Sequence, residues 1–129
     1  VENDQLAGWA DSKRAVIINI QRQPGANIIE VADRVKALLP HFEQAVHSLK
    51  GAKHVADIRN YGLAAGFTIA ALPGEPARRP YEIAMACWKK GFYVRYGGDT
   101  IQLAPPFISE KAEIERLVNA LGDALAETA

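Results

Sequence analysis

HVADIRNYGLAAGFTIAAL, residues 54–72, is the stretch that decides the fold. Two runs rich in apolar and β-branched residues, about 54–60 and 63–71, are joined tightly around Gly62. That spacing predicts two strands paired as a hairpin. The next run, LPGEPARRP at 72–80, is a loop by its proline and glycine content. Pro80 can serve as a first helical residue. Ile83, Ala84, Cys87 and Trp88 then set out a short amphipathic helix, ended by Gly91. FYVRY (92–96) and TIQLA (100–104) predict a second pair of short strands across a GGD turn, stopped by Pro105 and Pro106. Ser109 is placed to cap a last helix, with Ile114, Leu117, Val118, Leu121 and Leu125 on its core face.

Upstream of the deciding stretch, apolar residues recur at helical period from Ile28 to Leu49. Asn27 is a good N-cap, Glu30 can close a capping box, and Gly51 suits the position after the helix. Pro40 lies inside this run. A proline in a helix interior removes the hydrogen bond to the carbonyl four residues back, here Lys36, and costs about 3 kcal/mol. The expectation is a bend, or a meeting of two helices, at that point. Further upstream, RAVIINIQR (14–22) carries a strong strand signal, with Val16, Ile18 and Ile20 on one face. Pro24 and Gly25 end it. The first ten residues read as a mobile or edge-lying arm with Trp9 as an anchor.

The order is β-α-β-β-α-β-β-α. It predicts an α+β two-layer sandwich, a mainly antiparallel sheet with helices on one face. The first six elements follow a ferredoxin-like order. The length of 129 residues fits a single domain.

Composition excludes several classes. Fifteen basic and fifteen acidic side chains leave a formal net charge of zero, so nothing steers the chain to nucleic acid or an anionic membrane. No apolar run approaches the roughly 18 residues of a membrane span, and no signal peptide is visible. A single cysteine, Cys87, permits no internal disulfide and reads as a buried structural thiol. The start at Val1 rather than Met reads as an excised segment or as a start lying upstream.

Two resemblances cover separate parts of the chain. RAVIINIQRQPGANIIEVADRVKALLP (14–40) resembles the periplasmic porter region of resistance-nodulation-division efflux transporters, a resemblance extending over residues 1 to about 40. VADIRNYGLAAGFTIA (55–70) and RPYEIAMACWKKGFYVRYGGDTIQLAPPFISEKAEIERLVNAL (79–121) resemble the C-terminal small domain of class III aminotransferases of the ω-amino-acid:pyruvate, or β-alanine:pyruvate, type. This second resemblance runs from about 42 to 129. Enzymes of that family bind pyridoxal phosphate through a lysine of a large domain, upstream of the matching segment. The resemblances meet near Pro40. They imply a chimera of residues 1–40 with 41–129, engineered to test whether fragments of different folds recombine, with no native activity and no cofactor. No catalytic residue is expected.

Arg95 is the candidate site residue. On the residues alone it is a surface arginine at a hairpin. The aminotransferase resemblance aligns it with the arginine that receives the substrate carboxylate, a role that suits a guanidinium fork. A weak carboxylate-binding remnant at Arg95 is the alternative function. Lys89 and Lys90 sit at a helix end, where cations complement the dipole, and read as structural. His41, His47 and His54 match no common metal spacing, so no metal site is expected. Asp99, beside two glycines, reads as turn chemistry, and Asp57 has no evident partner for acid–base work. Trp88, Phe92, Tyr93, Tyr96 and Phe107 read as core or as a former domain interface. Exposed interface surfaces of that kind would favour a homodimer or a domain swap. The protein is expected to be soluble, and cytoplasmic when expressed.

Overall fold

Val55–Tyr61 and Ala64–Ile69 form the expected hairpin, and Gly62 takes the positive φ of 57° that its turn requires. This computed structural model describes residues 8–10, 13–15 and 28–129. The elements in chain order are β1 (Gly8–Ala10), β2 (Lys13–Ala15), α1 (Ile28–His47), β3 (Val55–Tyr61), β4 (Ala64–Ile69), α2 (Arg78–Lys89), β5 (Arg95–Gly97), β6 (Thr100–Leu103) and α3 (Lys111–Glu127).

The chain divides into two compact units, Val1–Val31 and Ala32–Ala129. In the first, β1 and β2 pair antiparallel. Gly8–Ala10 is thus a strand rather than a loose arm. The described part of the strand expected at 14–22 pairs with β1 and lies outside the larger sheet. The rest of that strand, the Trp9 side chain and the N-cap at Asn27 lie outside what the structure describes.

In the second unit, the four strands run in the order β3-β4-β6-β5, every neighbour antiparallel. Each hairpin contributes two strands, and β4 joins β6 at the centre. Alternation decides the layers, because successive side chains of a strand point to opposite faces. Phe67 of β4 lies opposite Ile58 and Ile101, and Ala65 lies opposite Leu103. Those positions face a core shared with Leu38, Phe42 and Val46 of α1, Ile83, Ala84 and Cys87 of α2, and Ile114, Val118, Leu121 and Leu125 of α3. The result is the expected α+β arrangement, with three helices against a four-stranded antiparallel sheet.

Three local expectations are corrected. The helix α1 runs unbroken from Ile28 to His47 with Pro40 inside it, so no two helices meet there. Pro40 is on the exposed side, where water can serve the Lys36 carbonyl that lacks an N–H partner. Glu110, rather than Ser109, is the N-cap of α3, in a capping box where the Glu113 carboxylate accepts the Glu110 N–H at 2.8 Å. Ser109 is itself buried. Trp88 is not on the core face of α2 but 62% exposed. At 100° per residue it falls a quarter-turn beyond Cys87, outside the stripe of Ile83, Ala84 and Cys87.

Candidate functional site

The face of the sheet away from the helices carries polar side chains in two cross-strand rows. The register places Arg59 opposite Gly66, Gly66 opposite Gln102, and Gln102 opposite Arg95. One row over, Asp57, Thr68, Thr100 and Gly97 are aligned in the same way. Residues directly opposite in a sheet share a face, so two arginines stand on this surface, separated by a glycine and a glutamine.

Their surroundings differ. Arg59 is tied down: its Nη1 donates to Thr68 Oγ1 at 2.7 Å and to Asp57 Oδ2 at 3.2 Å, and its Nη2 donates to Thr100 Oγ1 at 3.4 Å. One guanidinium thereby links β3, β4 and β6. It lies flat over Gly66, where a Cβ would stand 3.4 Å from its carbon. Arg95 is exposed, and among the described residues its side chain makes no hydrogen bond or ion pair. Arg59, Tyr61, Gly66, Thr100 and Gln102 line a shallow depression of about 450 Å³ on this face.

The remaining singled-out residues go elsewhere. Asp57 pairs with Arg59, and Asp99 shapes its turn, its carbonyl accepting the Ile69 N–H and its carboxylate the Thr100 hydroxyl. His41 faces Glu115 at 3.5 Å, His47 Nε2 meets Asn60 Oδ1 at 2.7 Å, and His54 Nε2 meets the Thr128 carbonyl at 2.9 Å. The three histidines are thus dispersed, and among the described residues no three metal-ligating side chains gather. Cys87 is fully buried, and burial pushes its thiol up to about 11. That disfavours the nucleophilic thiolate.

Lys89 is exposed, and Lys90 holds Glu127 at 2.8 Å, a pairing that raises its pKa. A Schiff-base lysine needs the opposite shift. Lys90, held by Glu127, does not fit a Schiff-base role. No described helix is long and apolar enough to cross a membrane.

The aromatic residues expected as a cluster divide. Phe92 and Phe107 are half-buried, whereas Trp88, Tyr93 and Tyr96 are exposed. Trp88 packs edge-on against Tyr93, and Tyr81 against Tyr96, with ring centroids 6.1 and 5.8 Å apart.

Sequence reasoning singled out Arg95 and missed Arg59, Thr68, Thr100 and Gln102. The missing signal was register. Alternation within one strand tells which residues share its face, but not which residue of another strand stands opposite.

About 70% of the chain matches class III aminotransferases of the ω-amino-acid:pyruvate type. It is 52% identical over 91 residues to an ω-amino acid–pyruvate aminotransferase from Pseudomonas putida, covering 70% of this chain and 20% of that protein. It is 52% identical over 88 residues to a β-alanine–pyruvate aminotransferase from Pseudomonas aeruginosa, covering 68% of this chain and 20% of that protein. Among solved structures, adenosylmethionine-8-amino-7-oxononanoate aminotransferase from Methanocaldococcus jannaschii superposes with a TM-score of 0.66 at 28% identity, over 78% of this chain and 24% of that one. No family model matches the chain. The chain spans about a fifth of the length of the curated relatives it matches. These relatives overturn the expectation of an engineered chimera without native activity. The chain resembles a fragment of a class III aminotransferase, and a de novo protein with an efflux-transporter part is not supported.

Proposed function

We propose that this chain is the small-domain portion of a class III aminotransferase that moves an amino group between an ω-amino acid and pyruvate, with Arg95 receiving a substrate carboxylate. The observation that carries this reading is Arg95 itself. Its guanidinium is exposed and unpaired on the open sheet face, within a segment similar to enzymes named for ω-amino acids, β-alanine and pyruvate. A buried or paired arginine would have no fork to offer. The 129 residues alone are read as inactive, because they match only a fifth of such a protein. They are read as soluble, and cytoplasmic when expressed.

The test is a hybrid. Residues 42–129 replace the matching segment of the Pseudomonas putida relative, and β-alanine:pyruvate transamination is measured. The hybrid should remain active, and Arg95→Ala within it should raise the KM for β-alanine at least tenfold, the order expected for one lost charged contact. A folded, cofactor-loaded hybrid with no activity, or an Arg95→Ala variant with unchanged KM, rejects the reading.

A second reading, a homodimer through α2, rests on a different observation. Tyr81, Met85 and Trp88 are spaced along one side of α2, and they line a groove with Glu82 and Lys89, charges of opposite sign near its two ends. Two copies of α2 packed antiparallel would bring Glu82 of each, which Arg78 holds at 2.8 Å within one chain, toward Lys89 of the other. Light scattering at the chain mass of 14.0 kDa would end this reading.

A further inference from the structure

Arg95 and Gln102 are direct cross-strand partners on the open face of the sheet. In such a pair the Cβ atoms are about 4.5–5.5 Å apart, so both side-chain heads can reach one small ligand. Both residues are exposed, and among the described residues neither side chain makes a hydrogen bond.

The neighbours keep the pair open. The next residue in the row is Gly66, and Gly97 follows Arg95 on the same face by one alternation. A Cβ at Gly97 would meet nothing within 4 Å. The carboxylate that the register places on this face, Asp57, is held by Arg59. A glutamine opposite Arg95 offers N–H donors of its own and no negative charge. A glutamate at the same place would close on the guanidinium as an internal counter-ion, since opposite charges directly across a strand pair attract.

We infer that Gln102 is a second ligand-binding residue, its amide donating to the same carboxylate that Arg95 receives, and that its neutrality keeps the Arg95 guanidinium free. This rests on the reading of Arg95 as a carboxylate site. The ligand class is a small carboxylate, the group that a guanidinium and an amide N–H can hold together.

The test uses the 129-residue chain labelled with ¹⁵N, with propionate as the probe and ionic strength held constant by chloride. The Arg95 Nε–H and Gln102 side-chain amide signals should move with one common midpoint. Gln102→Leu should weaken binding about fivefold, the equivalent of one modest hydrogen bond. Gln102→Glu should abolish it while the backbone amide spectrum stays native. If Arg95 responds but the Gln102 amide does not, and Gln102→Leu binds as the parent does, the inference about Gln102 is overturned and Arg95 stands alone. If neither signal moves, Gln102 is overturned together with Arg95 as a carboxylate site.

Discussion

The guanidinium carbon of Arg59 lies 3.4 Å from the place a Cβ would occupy on Gly66, the residue directly across from it in the sheet. The absent side chain lets the arginine lie flat and reach Thr68 and Thr100 on the two strands beyond its own. A methyl at 66 would meet the guanidinium at ordinary contact distance, and the backbone there does not have the positive φ that would strain it. Gly66→Ala should therefore hold stability within about 1 kcal/mol of the parent, since the loss of unfolded-state freedom offsets slight crowding. Gly66→Leu should displace Arg59 and cost about 1–2 kcal/mol through its lost hydrogen bonds. Urea unfolding measures both. A leucine variant as stable as the parent would show that the Arg59 link adds nothing.

The start of α3 gives a sharper contrast. Glu113 closes the capping box by accepting the Glu110 N–H at 2.8 Å, whereas Ser109 lies one residue before the cap. Glu113→Ala should cost about 1 kcal/mol, the usual size of a lost capping interaction. The loss should appear as early hydrogen exchange in the first turn of α3. Equal exchange rates in parent and variant would remove the box from the account of helix initiation.

Cys87 links burial to pH. Its thiol ionises near 9 under ordinary conditions and near 11 in the fold, because burial disfavours the thiolate. The unfolded chain then loses its proton first as pH rises. The contribution is whole below pH 9 and is lost between about 9 and 11. The stability difference between the parent and Cys87→Ala should shrink across that window. Native Cys87 should also resist iodoacetamide at pH 8 and react once urea unfolds the chain. Rapid alkylation of the native protein would contradict the buried thiol.

Phe42 on α1 and Phe67 on β4 are both fully buried and share one core cluster, although 25 positions separate them in sequence. Truncating either to alanine should cost about 3–5 kcal/mol, from lost transfer energy and the cavity left behind. Ile28→Ala and Ile29→Ala, at exposed positions on the same helix as Phe42, should change stability by less than about 0.5 kcal/mol. Thermal or urea unfolding of the four variants checks the ranking. Similar losses at Ile28 and Phe42 would mean that the two ends of α1 are equally packed.

Much of the fold was legible because its signals are local. The hairpin around Gly62 needs only two apolar runs and a residue that accepts φ of 57°. Gly91, with φ of 92°, marks the end of α2 by the same logic. The helical period of α3 gave its core face. The N-terminal part was harder to read. A proline in α1 looked like a seam, yet one proline on an exposed helix face is compatible with a continuous helix. The expectation of a chimera rests on two resemblances that meet near Pro40, and the aminotransferase relatives correct it.

Trp88 shows the limit of a four-residue apolar pattern: on a short helix a large aromatic one position beyond the stripe is assigned to the core by composition, while its angle places it in solvent. By itself, the sequence determined the type and order of the elements of the second unit, and it offered Arg95 through resemblance. Only the tertiary structure decided that the two hairpins meet through β4 and β6, which sets Gln102 beside Gly66 and brings Thr100 within reach of Arg59. The reason is range. Turn and helix preferences act over a few neighbouring residues, whereas strand register between hairpins is set by packing residues more than thirty positions apart into one core.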